Sequence, residues 1–197
     1  MFKGTSASAG IGIGKAVIVE EAELVITRNE VADAEAEIQR FKGALEKTIA
    51  ATQKMADDLA SRVGEKEAEI MQGHMMLLSD PMLTGEIESS IRNDKVNSEF
   101  AIENVCNMYA DMFASMGDEL MQQRATDMRD IKVRMQRTLM GLESVDVSLL
   151  PKGSILVAKD LTPSMTAGIN PANVTGIVTE LGGRTSHSAI LARALEI

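Results

Sequence analysis

Apolar and polar positions along this chain change their period twice, and each change marks a different kind of element. Residues 10–20, GIGIGKAVIVE, join glycine punctuation to the apolar, largely β-branched run Ala16, Val17, Ile18, Val19, which predicts a buried strand. From Val31 the period becomes helical: Val31, Ala34, Ile38, Phe41, Leu45, Ile49, Thr52, Met55, Leu59 and Val63 recur at three- and four-residue steps. That spacing puts them on one face and predicts a single long amphipathic helix. Gly64 interrupts it, and a second helix carries Ile70 to Leu78. Asp80 then reads as an N-cap with Pro81 at the first helical position, where a missing N–H costs nothing. A further helix begins near Asn97 or Ser98. The last, from about Asp118, sets Met128, Ile131, Met135 and Leu139 on one face and ends at Gly141. Four or five helices with short connections predict an antiparallel bundle.

After Pro151 the strand signal returns. GSILVAKD and VTGIVTE are short β-rich runs separated by the turn chemistry of LTPS and GINPAN, and the second leads into LGGRTSHSAILARAL. The simplest organisation is α/β plus all-α: an α/β domain built from residues 1–30 and 143–197, with a helical domain, residues 31–142, inserted into it.

Composition narrows the function. With 197 residues, 45% of them hydrophobic, the chain is long enough for one or two real cores. No apolar run reaches the ~18 residues a membrane helix needs, and the N-terminus lacks a signal-peptide pattern, so a cytoplasmic protein is expected. The formal net charge of −9 argues against a nucleic-acid surface. The single cysteine, Cys106, lies in a helical run and reads as a buried structural thiol.

Chemistry concentrates near the end of the chain, in ELGGRTSHSAILARALEI. Gly182 and Gly183 allow tight backbone geometry and close approach of a ligand, Thr185 or Ser186 can cap the following helix, and His187 falls in its first turn. A helix N-terminus favours an anion, and Arg184 with the hydroxyls of Thr185, Ser186 and Ser188 adds donors. Two histidines and one cysteine supply no metal cluster. The imidazole therefore reads either as a nucleophile toward phosphorus, its donors holding the phosphoryl oxygens, or as an ordinary cap or surface residue. Other glycine motifs fail: GIGIGK lacks the spacing of a dinucleotide fingerprint and the residues of a P-loop, and GRTSH is not a hydrolase elbow. The N-terminal glycines read as strand punctuation.

GGRTSHSAILAR resembles the phosphohistidine signature of the phosphoenolpyruvate-utilising enzymes. The whole chain is similar to the N-terminal part of the enzyme I family of the bacterial sugar phosphotransferase system, through GTSASAGIGIGKA, GHMMLLSDPML, RATDMRDIKVRM and KDLTPSMTA. The resemblance implies a swivelling phosphohistidine α/β domain with an inserted antiparallel helical bundle. It implies that phosphoenolpyruvate phosphorylates His187 on Nε2 and that the group passes to the histidine-containing phosphocarrier protein. Thr166 matches the threonine whose hydroxyl orients the imidazole. The resemblance also implies a longer protein, whose C-terminal barrel domain binds phosphoenolpyruvate and Mg²⁺. No cofactor or metal site is expected within these residues. The related dikinase and phosphoenolpyruvate synthase share a histidine motif of this type, and a non-catalytic helical partner-binding module is the alternative from another class.

The helical insert carries most of the negative charge. From Glu65 to Glu119 there are 12 acids against 3 bases, whereas from Leu120 to Leu142 there are 5 bases against 2 acids. Met75, Met76, Leu77 and Leu78 are consecutive on a helix and cannot all face one core, so one or two should be exposed. Exposed apolar residues beside Glu65, Glu67 and Glu69 would suit a partner with an apolar patch and a basic rim, against the plainer reading of surplus core methionine. By the resemblance Ile70, His74, Met76, Leu77 and Arg124 match positions that dock the phosphocarrier. His74 also admits the reading of a satisfied, partly buried histidine.

Overall fold

The computed structural model describes residues 4–184 and 186–197. Three strands, β1 (Lys15–Val19), β2 (Ser154–Ala158) and β3 (Val174–Thr179), form one parallel sheet in the order β1-β2-β3. Seven α-helices lie among the described residues: α1 (Ala34–Arg62), α2 (Glu65–Leu78), α3 (Pro81–Asp94), α4 (Ser98–Ser115), α5 (Glu119–Met140), α6 (Pro163–Ala167) and α7 (His187–Ala194).

The helix boundaries follow from local chemistry. Asp80 accepts from the Met82 N–H and Asp118 from the Leu120 N–H, each a side-chain cap on an otherwise unpaired first-turn donor. Gly141 ends α5 in the left-handed conformation, its N–H returned to the Arg137 and Thr138 carbonyls. The LTPS segment, expected as a turn, opens a short helix instead: Thr162 caps it, accepting from Met165 N–H, and Pro163 occupies its first position.

The chain divides into two compact units. One comprises Met1–Ala22, Met55–Glu69 and Val145–Ile197, the other Glu23–Lys54 and Ile70–Ser144. This differs from a single insertion of residues 31–142. The end of α1 and the first turn of α2 group with the sheet, and residues 23–30 group with the helices. One physical link within the first unit is Arg62, in the last turn of α1. Its guanidinium donates to the Ile169 and Ala167 carbonyls at 2.6 and 2.7 Å.

In the sheet-bearing unit the core is Val19, Val147, Leu150, Leu156, Ala158, Leu161, Met165, Ile169 and Val174. Register places Val17, Leu156 and Ile177 side by side, and Ile18, Val157 and Val178 on the other face. The first row packs on the core and the second does not, so Ile18 is 70% exposed and Val178 is exposed as well. The expectation of a buried β1 is thereby corrected: it is an edge strand of which only Val19 is fully buried. The second unit is built on Ile38, Phe41, Leu78, Ile87, Ile91, Ile102, Met128, Ile131 and Met135, with the expected faces of α1 and α5 turned inward. Cys106 is buried there, and burial pushes its thiol up to about 12, which leaves it without thiolate character.

Candidate functional site

Gly182 leaves β3 at φ +97°, a left-handed conformation that a side chain would strain, and so lets the chain reverse into α7. Ser186 caps that helix, its Oγ accepting from the Ala189 N–H at 3.2 Å. The same hydroxyl donates to the Gly183 carbonyl at 2.9 Å, which leaves the Ser188 hydroxyl as the donor in its 2.9 Å bond to Ser186. Both hydroxyl protons are therefore spent inside the turn. In this arrangement Ser186 and Ser188 shape the helix terminus. Thr185 lies outside the described residues.

His187 is the first residue of α7. It is half-buried, and its Nδ1 is sequestered from solvent. Arg184, exposed, donates from Nε to the Ser6 carbonyl at 3.0 Å, and Arg193 ties the Ala7 and Arg184 carbonyls to the same helix at 3.0 and 2.9 Å. Gly183 sits in open space, so close packing does not explain its lack of a side chain.

Thr166 is buried on α6, which packs against α7. Its hydroxyl donates to the Thr162 carbonyl at 2.8 Å. Having spent its one proton there, it can act toward an imidazole only as an acceptor, from an N–H. Such an acceptor would hold the proton on one ring nitrogen and leave the lone pair on the other. The Arg62 clamp on the carbonyls of Ala167, the last residue of α6, and of Ile169 beyond it steadies the same short helix. Sequence reasoning missed it, because no local signal links residues 105 and 107 positions apart.

The second group of candidates lies mostly on α2. Glu65 is exposed and Glu67 half-buried. Of the four consecutive apolar residues Leu78 is buried, Met75 and Leu77 are half-buried, and Met76 is 71% exposed. Ile70 is half-buried. His74 departs from expectation. Its side chain is 0% exposed, with Nε2 3.2 Å from Asp127 Oδ1 and Nδ1 3.8 Å from Asp130 Oδ2. It cannot touch a docking partner, because two buried carboxylates of α5 enclose it. A buried histidine is the reading that fits, its Nε2 within hydrogen-bond distance of Asp127 and its Nδ1 facing Asp130 only at ion-pair range. Arg124 is one-third exposed, and its Nη1 lies 3.7 Å from Asp127 Oδ2. Other methionines outside the expected set are exposed: Met82 on α3, and, at four-residue steps, Met108 and Met112 on α4 and Met116 just past its end. Their signal was available in the four-residue spacing, but it reads equally as a core face.

Among the described residues no group of three or more His, Cys, Asp or Glu side chains is placed to hold a metal ion. No described helix is long and apolar enough to cross a membrane.

Residues 3–124 match the family described as PEP-utilising enzyme, N-terminal, and residues 150–197 match PEP-utilising enzyme, mobile domain. The chain is 44% identical over 196 residues to the phosphoenolpyruvate-protein phosphotransferase of Listeria monocytogenes and 42% to that of Bacillus subtilis. All of this chain is covered in both alignments but only 34% of each relative, so it spans about a third of their length. A solution structure of enzyme I superimposes with a TM-score of 0.86 at 39% identity, covering 100% of this chain and 80% of that one. The N-terminal domain of Enzyme 1 - Nitrogen superimposes at 0.67 and 26% identity, covering 97% and 79%.

Proposed function

The chain belongs to the phosphoenolpyruvate-utilising enzymes, among the relatives of enzyme I, and on that premise we propose that it carries a phosphoryl group on His187 Nε2 between phosphoenolpyruvate and a histidine-containing phosphocarrier protein. The observation that supports this most directly is the setting of His187: half-buried at the first position of α7, with Nδ1 withdrawn from solvent. That leaves Nε2 as the nitrogen for phosphorus to approach, at the positive end of a helix dipole. Its lone pair bonds to phosphorus as the bond to the enol oxygen of phosphoenolpyruvate breaks, that oxygen leaving with the electron pair as the enolate of pyruvate. In the second transfer a ring nitrogen of the carrier bonds to phosphorus, the bond to Nε2 breaks, and its electron pair returns to His187. Thr166 accepts from Nδ1–H and so holds the reactive tautomer. Gly182, Gly183, Arg184, Thr185, Ser186 and Ser188 shape and charge the phosphoryl site. The phosphohistidine function belongs to residues 1–30 and 143–197, and carrier docking to the helical part.

Incubation with phosphorylated carrier should leave acid-labile, base-stable phosphate on the peptide that contains His187. Label that is acid-stable, or that maps to another peptide, would overturn the assignment. Phosphoenolpyruvate with Mg²⁺ should not label this chain by itself, because the resemblance assigns the donor site to the C-terminal barrel domain of the longer protein; label from that mixture would place the donor site within these residues.

Docking falls to α2 and its surroundings, with Met76 and Leu77 as the apolar centre, Ile70 beside them, Glu65 and Glu67 as the acidic flank, and Arg124 as a cation. Acidic residues around an apolar centre steer a basic partner, and salt screens them: the Debye length of ~8 Å at physiological ionic strength shrinks to ~3 Å at 1 M. Carrier affinity measured by titration should therefore fall as salt is raised. An affinity indifferent to salt would make the interface purely apolar.

A further inference from the structure

The section of α2 that follows its acidic first turn holds a built seat for one cation. Gly73 is buried, and a Cβ placed on it would stand 2.6 Å from the Arg124 Nη1 atom, so the guanidinium lies across α2 in a notch that only glycine leaves open. From the other side Asp127 Oδ2 faces the same Nη1 at 3.7 Å. Asp127 is itself held: its Oδ1 is 3.2 Å from Nε2 of His74, which is fully buried and has Asp130 at its other ring nitrogen. Notch, carboxylate and imidazole form a chain ending at a guanidinium that stays one-third exposed.

We propose that His74, Asp127 and Gly73 are positioning residues whose purpose is to present Arg124 as a preset cation on the docking face. An arginine loses rotamer freedom when it binds, and one already fixed by its surroundings loses less. Lying against α2, whose charged residues are the three acids Glu65, Glu67 and Glu69 and the one base Lys66, it is a cation beside an acidic helix. Its fork selects a partner that offers an acceptor oxygen, carboxylate or carbonyl, at that point within an otherwise basic rim. His74 is thus drawn into docking without touching the partner. The inference rests on the docking reading given above.

The test uses this chain and a purified histidine-containing phosphocarrier protein. Gly73→Ala fills the notch. The atom it displaces is the end of a flexible side chain, and alanine is the better helix former, so the melting temperature should stay level or rise. Carrier affinity should nevertheless fall about tenfold, as it should for Arg124→Ala. In the Arg124→Ala background Gly73→Ala and His74→Gln should have no further effect, the non-additivity expected when residues act through one group. Arg124→Ala weakening binding while Gly73→Ala and His74→Gln do not would overturn the proposal and leave the docking reading standing. Unchanged binding in both Arg124→Ala and Met76→Ala would remove the docking reading itself, and this inference with it.

Discussion

Replacing His187 by alanine should abolish acid-labile phosphate on the chain, a loss of at least ~1000-fold in transfer from phosphorylated carrier, while carrier affinity stays within about twofold. The first half follows from the inventory of nucleophiles. Only one other imidazole exists, that of His74, and it is fully buried between Asp127 and Asp130 in the helical unit. A phosphoryl group cannot reach it without unfolding the surroundings. Cys106, with its thiol pushed up to about 12 by burial, offers no thiolate either. The second half follows from the proposed docking centre: α7 belongs to the sheet-bearing unit, whereas Ile70, Met76, Leu77 and Arg124 belong to the helical one, and only the acidic flank of Glu65 and Glu67 groups with α7. Intact mass measured before and after acid treatment reads the label, and a calorimetric titration reads binding. Residual acid-labile label on the His187→Ala protein would place the nucleophile elsewhere. Loss of binding in the same variant would place the docking surface at the histidine.

What the sequence made legible was what depends on neighbours in the chain. The caps at Asp80, Asp118 and Gly141 could be read because a cap is a contract between residues two to four apart, and the structure has all three. The same holds for the turn into α7, where one of two candidate hydroxyls, that of Ser186, takes the capping role. Contacts between distant segments were not legible. The β-branched run of β1 says strand, but not that its Ile18 face would stand uncovered, since burial of a strand depends on what lies over the sheet. His74 admitted two readings, a satisfied, partly buried histidine from composition and a docking position from the resemblance. Only Asp127 and Asp130, more than fifty residues on, make its burial possible. Gly12 and Gly14 read as punctuation, yet a Cβ at either would collide with backbone of Thr175 or Gly153, so they are where the N-terminal segment passes against the starts of β2 and β3.

The largest effect on stability from a single charged residue should come from Arg40, another such distant connection. On α1 its guanidinium uses every donor: Nε and Nη2 to Glu37 at 3.0 and 2.7 Å, Nη1 and Nη2 to Glu99 at 2.9 and 2.7 Å, and Nη1 to the Leu139 carbonyl at 3.4 Å. Glu37 in turn accepts from the Ser98 N–H at 2.6 Å, so the cluster also caps the first turn of α4. The two carboxylate side chains are only 13% and 14% exposed. Burial raises their pKa values, but the hydrogen bonds from Arg40, with those from Ser98 to Glu37 and from Asn97 to Glu99, outweigh it and hold both below the ordinary range. Arg40→Ala leaves two half-buried carboxylates facing each other. Breaking a fully buried pair costs ~3–5 kcal/mol, and since Arg40 itself is partly solvated a loss of about 2 kcal/mol at neutral pH is expected. The pH dependence fixes the cause. A carboxylate whose folded pKa is depressed contributes stability that is present above its unfolded value, ~4.3 for glutamate, and is lost as pH falls through the folded one. The parent protein should therefore lose this contribution on acidification, while in Arg40→Ala the carboxylates, no longer held charged, protonate earlier and relieve their own repulsion. Urea unfolding of both proteins across the acid range should show the stability gap widest near neutrality and closing as the glutamates protonate. A gap that stays constant down to that range would mean that Arg40 stabilises through the packing of its aliphatic stem, and the ion-pair account would fall.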